Sequence, residues 1–169
     1  MAGAKIAQHL ARDRWGRQTP DGRLSRDPQR TPMQWTQDEN AGFCPPGIEP
    51  WLPIGDDTGS ANAATQHADP GSMLNLTRRL LTLRATHPAL RAGRFVLRRD
   101  VPDCILAHER RHADARILVA VNFTSAPATL PVGEAAGILA TTALTGNCGS
   151  VRGRLRLSPD EAIVAQIRS

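Results

Sequence analysis

The stretch of the sequence with the most varied chemistry runs from Arg26 to Trp35 and reads RDPQRTPMQW. Its two prolines fix the backbone φ angle and each removes a backbone donor, so neither a helix nor a central strand can run through it. The resulting loop holds two arginines, a carboxylate and a tryptophan. Guanidinium forks and an aromatic face are suited to binding hydroxyl and carboxylate groups. The composition therefore indicates a binding site, with Arg26, Asp27 and Arg30 as candidate substrate-binding residues.

The arginines of this loop and the tryptophans Trp35 and Trp51 can each have a structural role instead of a binding role. Arg26 either contacts a substrate or forms a local ion pair with Asp27 that shapes the loop. The role of Arg30 is also undecided, because an arginine that binds loop carbonyls for structural reasons is at least as consistent with the sequence as one that contacts a substrate. Trp35 and Trp51 can stack on sugars, but a tryptophan beside proline-rich turns more often anchors its loop. We therefore expect both indoles to be anchors.

No catalytic residue is predicted in the chain. The five histidines share no spacing typical of metal ligands, and no nucleophile elbow is present. Cys44, Cys104 and Cys148 form no CxxC pair, so free buried thiols are expected. Neither a metal nor another cofactor is predicted.

The charge balance is positive, with 21 Lys and Arg against 16 Asp and Glu, giving a net charge of +5. A basic chain raises the question of a nucleic-acid partner, but the arginines are scattered and no nucleic-acid-binding motif accompanies them. The first residues contain no apolar run long enough for a signal peptide or a membrane span. We expect no nucleic-acid or membrane partner, and a reducing, cytoplasmic location.

The rest of the chain divides into an irregular part, a helix and a set of strands. Residues 1–69 have few periodic apolar runs, and an irregular segment of this length is expected to lie on other structure. A helix is predicted from Asp69 to about His87, with the aspartate as N-cap and a wide apolar stripe. From Gly93 onward, β-rich runs alternate with turn residues and predict an antiparallel β-sandwich. The predicted strands are residues 95–97, 104–108, 117–123, 128–132, 138–142, 155–157 and 162–167.

Together with ENAGF at residues 39–43 and PWLP at residues 50–53, RDPQRTPMQW resembles the late catalytic-domain segment of α-glucosidases and oligo-1,6-glucosidases in glycoside hydrolase family 13. The resemblance implies that residues 1–91 are the tail of a (β/α)8 barrel, namely the long loop after strand eight and the last helix at about 69–87. Residues 92–169 would be the C-terminal sandwich. The implied fold is mainly β, a sandwich preceded by a long irregular segment and one α-helix.

The resemblance also implies an activity on short α-glucosides, by retaining hydrolysis or transfer. In the family, the reacting carboxylates lie in a GFRxD segment, on a glutamate two strands later and in an NHD segment, and none of these motifs occurs here. The chain alone is therefore expected to be inactive. The family's arginine at the position of Arg26 lies at the floor of the pocket for the non-reducing glucose, paired with an aspartate from early in the barrel.

Three alternatives remain open at this point. The chain can be a structural module that completes a separately encoded barrel, with an N-terminal barrel fragment as its partner. It can belong to a trehalose-synthase-type member, which shares RTPMQW, although PWLP and the ADPGSM opening of the helix are more similar to α-glucosidases. Free carbohydrate binding by the sandwich is less favoured, because the aromatic content is only 4%.

Overall fold

The computed structural model describes residues 6–19, 24–113, 115–133, 135–143 and 149–168. The chain divides into two compact units, residues 1–75 and 76–169. The domain boundary predicted between residues 91 and 92 stays a prediction. No helix in the described ranges is both long and apolar enough to cross a membrane.

The first unit is built from short helices and turns. Its α-helices are α1 (Arg14–Gln18) and α2 (Ala63–Ala68), and it adds 3₁₀ helices at Gln8–Leu10, Asp27–Gln29 and Glu39–Gly42. No strand occurs among its described residues. The part predicted to be irregular is thus a series of single turns, whose positions are set by side-chain contacts.

Helix α3 (Met73–Thr86) begins later than the sequence predicts. Asp69, the predicted N-cap, instead accepts the N–H of Gly71 on its Oδ1 at 2.8 Å. Ser72 is the cap, because its Oγ accepts the N–H of Asn75 at 3.2 Å. Asp69 thus closes the turn that precedes the helix.

The end of α3 is set by a proline. Pro88 disfavours helical geometry at His87, and it opens the next short helix, α4 (Pro88–Ala92), where its missing N–H costs nothing. Within α3 only Leu76 is buried, while Met73 and Leu81 are more than half exposed.

The second unit is antiparallel. The strands are β1 (Arg94–Leu97), β2 (Ile105–His112), β3 (Ala115–Asn122), β4 (Ala128–Pro131), β5 (Ala136–Thr141), β6 (Ser150–Val151), β7 (Arg154–Leu157) and β8 (Ala162–Ile167). A six-stranded sheet has the order β1-β2-β3-β8-β5-β6, and β4 pairs with β7 in a second sheet. The seven predicted strands are present, and the two-residue β6 is additional.

The predicted strands 104–108 and 117–123 are longer than expected: β2 continues through His112 and β3 begins at Ala115, so that Arg111 and Arg116 are cross-strand partners. Both arginines bind Glu109, which holds the ends of the two strands together. A side-chain contact between strands has therefore extended the pairing beyond what local turn propensity indicates.

A single apolar core lies between the two sheets. Alternate residues of β2, β3 and β8 face it from the larger sheet, and β4 and β7 cover it from the smaller one. The buried members include Ile105, Ala107, Leu118, Ala120, Leu130, Leu155, Leu157, Ile163, Ala165 and Ile167. This period-two burial is the physical reason why the strands were visible in the sequence.

Glu109 is buried on the core face of β2 and is surrounded by guanidinium groups. Arg111 Nε lies 2.8 Å from its Oε2, and Arg116 Nε and Arg98 Nη1 each lie 3.3 Å from a carboxylate oxygen. Arg98 also donates from Nη2 to the carbonyl of Pro131 in β4, at 3.0 Å, which links the two sheets. Burial opposes the charge of Glu109, but the hydrogen bonds from Arg116 and Arg111 outweigh it and lower its pKa.

We predict that Glu109→Gln destabilises the second unit by roughly 2 kcal/mol, between the values typical of exposed and of buried ion pairs, because Arg98 is largely buried while Arg111 and Arg116 are partly exposed. Since the pKa of Glu109 is lowered, its stabilising contribution is present above the ordinary value of 4.5 and is lost as the pH falls through the folded-state pKa. The difference between wild type and variant should therefore shrink in acid. Urea unfolding at neutral and acidic pH measures both quantities.

Asp100→Asn is the matched control. Its carboxylate also binds Arg98, but its side chain is 59% exposed, so the expected loss is below about 1 kcal/mol. Equal unfolding midpoints for the two variants would contradict a structural role for the buried carboxylate.

Candidate functional site

Two buried carboxylates, Asp27 and Asp13, hold the candidate loop. Asp27 Oδ2 accepts the backbone N–H of Arg12 at 2.6 Å and that of Asp13 at 2.9 Å. In return, Asp13 Oδ2 accepts the backbone N–H of Arg26 at 3.0 Å. These side-chain-to-backbone hydrogen bonds hold residues 12–13 against residues 26–27.

Arg26 forms its ion pair with Asp13, so the local pair between Arg26 and Asp27 that the sequence left open is not the one that forms. Its Nη2 lies 2.7 Å from Asp13 Oδ1 and its Nε lies 3.3 Å from Oδ2, a bidentate arrangement. The Asp13 side chain is 2% exposed, whereas that of Arg26 is 59% exposed. Among the described residues, Arg26 Nη1 has no hydrogen-bond partner. The carboxylate therefore fixes one edge of the guanidinium and leaves the other edge in solvent.

This pair also changes the acid–base properties of both groups. The side-chain hydrogen bond from Arg26, followed by the bond from its backbone N–H, lowers the pKa of Asp13 from 3.8 to about 2. The same side-chain hydrogen bond raises the pKa of Arg26. Both groups therefore remain charged at neutral pH.

The structure separates the other two candidates by exposure. Asp27 is fully buried at the start of the Asp27–Gln29 turn, and its Oδ1 has no hydrogen-bond partner among the described residues. Arg30 is exposed, and its backbone N–H bonds to the carbonyl of Asp27 at 2.9 Å. Its guanidinium binds no carbonyl in the described part of the chain. Their roles in substrate binding stay predictions.

The end of the motif holds the following segment in place. Gln34 is buried, and its Nε2 donates to Thr58 Oγ1 at 2.8 Å. The carbonyls of Gln34 and Trp35 accept the N–H groups of Ala63 and Ala64, each at 3.0 Å. The motif thus accepts hydrogen bonds from backbone N–H groups in the first turn of α2, which have no partner within the helix.

The ENAGF sequence forms a left-handed turn that closes onto the motif. Asn40, Ala41 and Gly42 have φ angles of 54°, 53° and 64°. The carbonyl of Ala41 accepts the N–H of Trp35 at 2.9 Å. A Cβ at Gly42 would lie 2.8 Å from Thr36 Oγ1, so a larger residue there would be strained by its φ angle and would displace the Thr36 side chain.

In the PWLP sequence, the buried side chain is that of Leu52 and not that of Trp51. Leu52 is 1% exposed, while Trp51 and Trp35 are each 52% exposed. Arg12 Nε donates to the carbonyl of Trp51 at 3.2 Å, and the N–H of Arg12 bonds to Asp27. Both indoles are thus half exposed, and their predicted role as loop anchors stays a prediction. Arg12 connects PWLP to the candidate loop.

Other predicted features have mixed outcomes. Cys44 and Cys104 are free, as predicted, but they are half-buried instead of buried, and Cys148 lies outside the described residues. Within the described ranges, no group of three or more His, Cys, Asp or Glu side chains could hold a metal ion. Sequence reasoning missed Asp13, whose only signal was a carboxylate among the basic residues of segment 12–17.

The sequence profile of the alpha-amylase catalytic domain matches residues 1–93, which is more than half of the chain. The chain belongs to the alpha-amylase family. Family members similar to it include a salivary alpha-glucosidase of Anopheles gambiae, 40% identical over 108 residues, which are 64% of this chain and 18% of that protein. A probable oligo-1,6-glucosidase of Bacillus subtilis is 30% identical over 134 residues, 79% of this chain and 21% of that protein.

Solved structures of the family share the fold. An alpha-glucosyl transfer enzyme aligns over 99% of this chain and 31% of its own, with 29% identity and a TM-score of 0.79. The isomaltulose synthase of Klebsiella sp. LX3 aligns over 88% of this chain and 27% of its own, with 30% identity and a TM-score of 0.75. The chain thus spans about a fifth of the length of these two curated relatives and less than a third of each solved chain.

We predict that Asp13→Asn releases the guanidinium of Arg26 and loosens the candidate loop at neutral pH. Because the pKa of Asp13 is lowered to about 2, its stabilising contribution is complete above about pH 4 and is lost as the pH falls towards 2. The protection factor of the Arg26 amide, which is the intrinsic exchange rate at the same pH divided by the observed rate, should therefore fall in the variant at neutral pH, and in wild type only in acid. The exposed Asp56, changed to Asn, is the control and should behave as wild type. Unchanged exchange in the Asp13 variant would contradict this role.

Proposed function

We propose that this chain is part of an α-glucosidase-type retaining glycoside hydrolase that acts on short α-glucosides. The observation that carries the proposal is the Arg26–Asp13 pair, which holds a guanidinium with one edge in solvent on a loop that the family shares. A fixed, permanently charged fork of this kind binds sugar hydroxyls with little loss of side-chain entropy.

The three candidate residues have different roles in this proposal. Arg26 donates to hydroxyls of the terminal glucose, and Arg30 supplies a second, exposed donor. Asp27 contributes from beneath the loop, because its carboxylate fixes the backbone of Arg12 and Asp13 and thereby the partner of Arg26. It is a positioning residue of the substrate site in this proposal.

These residues bind but do not perform the reaction. A charge-assisted hydrogen bond contributes about 1.5–3 kcal/mol, whereas enzymes lower their barriers by roughly 8–23 kcal/mol. Retaining hydrolysis needs two carboxyl groups about 5 Å apart, and the family segments that carry them do not occur in this sequence. We therefore propose that the 169-residue chain alone is inactive.

The purified chain is expected to show no turnover of a chromogenic α-glucoside, with the Bacillus subtilis relative as positive control. Combined with a relative's barrel that lacks the matching segment, it should restore turnover, and Arg26→Ala should lower that rate roughly ten- to hundredfold. Release of glucose indicates hydrolysis, while a new disaccharide indicates transfer, isomerisation or a trehalose-synthase-type reaction. Turnover by the chain alone would contradict the proposed inactivity, and an unchanged rate in the Arg26 variant would contradict the substrate site.

A second proposal, that the chain completes a separately encoded barrel, is supported by α3. The helix buries only Leu76, and Leu81 is 62% exposed on the apolar side of the helix. An apolar helix face of this kind is typical of an interface. The proposed partner is an N-terminal barrel fragment of the same enzyme.

A reducing, cytoplasmic location is also proposed, supported by the free thiols of Cys44 and Cys104.

We predict that Leu81→Asp prevents co-purification with such a barrel fragment, because it places a charge in the apolar contact. Thr82→Asp is the matched control, since it adds the same charge to the same exposed turn but about 100° further round the helix. The control should still co-purify. Equal recovery of the two variants, or no recovery of wild type, would contradict the interface.

A further inference from the structure

A cavity of about 210 Å³ lies in the first unit, and the side chains proposed to bind substrate are not part of its lining. Its lining comes from three parts of the chain, namely Leu10 with Arg12, Asn40, and residues 49–54. Arg26, Asp27 and Arg30 do not line it. Its volume corresponds to roughly seven water molecules, which suits one small ring and not a chain of several.

The aromatic wall of this cavity is held in place. Trp51 lines it with an indole that is half exposed, while the next residue, Leu52, is 1% exposed and fixes the backbone. Arg12 Nε holds the carbonyl of Trp51 at 3.2 Å, and the prolines on either side of the Trp51–Leu52 pair restrict its backbone further. An indole on so constrained a backbone is a preformed stacking face.

The polar groups of the lining point to a neutral ligand. Arg12 and Glu49 carry opposite charges, and in the described part of the chain neither has an ion-pair partner. Asn40 uses its Nδ2 for the carbonyls of Pro45 and Ile48, which leaves its Oδ1 as an acceptor. Donors and acceptors are thus both present, and their charges cancel. An anion or a cation would gain at one group and lose at the other, whereas a ring with several hydroxyls can use both.

We propose that this cavity is a second carbohydrate site, which binds a single neutral sugar ring through stacking on Trp51 and hydrogen bonds to Arg12 and Glu49. The ring can be a free hexose or the terminal unit of a longer α-glucoside, because the chemistry that the cavity recognises is the same. The inference does not depend on the proposed hydrolase activity, since it uses none of the residues of the Arg26 loop.

The test is titration of the full chain with glucose and with maltose, followed by tryptophan fluorescence and calorimetry. Wild type should show saturable binding with a dissociation constant on the order of millimolar. Trp51→Ala should weaken it at least tenfold, while Trp35→Ala, which removes an equally exposed indole outside the cavity, should leave it unchanged. Glucose and maltose of equal affinity indicate recognition of one ring, and tighter binding of maltose indicates the end of a longer sugar.

Further variants keep the result interpretable if Trp51→Ala does not fold, as judged by circular dichroism. Trp51→Phe should retain binding through its aromatic face, and Glu49→Ala should weaken it at least tenfold. Binding that is lost in Arg26→Ala but kept in the Glu49 and Trp51 variants would overturn the inference and assign the sugar to the Arg26 loop. Absence of saturable binding in wild type would overturn the inference alone, because turnover by a completed barrel is measured separately.

Discussion

The first unit depends on the hydrogen bonds that the carboxylates of Asp13 and Asp27 accept between residues 12–13 and residues 26–27. A buried carboxylate is tolerated only if fixed donors replace the lost water, and Asp27 obtains them from two backbone amides. Those amides belong to Arg12 and Asp13, so the buried Asp27 side chain fixes the backbone of two residues whose side chains bind other parts of the unit. Arg12 then holds Trp51, and Asp13 holds Arg26. The loop, the PWLP sequence and the preceding segment are thus joined without a strand or a long helix.

The parts of the fold that follow local rules could be predicted from the sequence. The strands were visible because one face of β2, β3 and β8 packs on a core, and the end of α3 was visible because a proline follows it. The start of α3 could not be predicted, because Asp69 and Ser72 are both good N-caps and the contacts that favour Ser72 come from Gln66. The Gln66 carbonyl holds the hydroxyl of Ser72 and its Oε1 accepts the N–H of Leu74, contacts that no local propensity contains.

For the candidate site, the sequence identified the loop but not its partners. Asp27 is the neighbour of Arg26 and was the natural choice for a local ion pair, yet Asp13, thirteen residues earlier, forms it. The physical reason is that Asp27 is already committed to backbone amides on the inner side of the loop. The exposure of Trp51 has a related cause, because Leu52 occupies the buried position beside it and leaves the larger ring at the surface. In both cases, contacts outside the local sequence decide which of two adjacent residues faces inward.

The two units satisfy their buried carboxylates in different ways, and the difference decides which arginines are available to a ligand. In the sandwich, Glu109 is neutralised by Arg98, Arg111 and Arg116, so these cations serve the fold. In the first unit, amides stabilise Asp27, and Asp13 fixes only one edge of Arg26. Some of the arginines that give the chain its net charge of +5 therefore stabilise the fold. A basic composition alone does not imply a polyanion partner. The positive charge that remains available for recognition in the candidate loop is presented by an arginine whose orientation a buried carboxylate has already fixed.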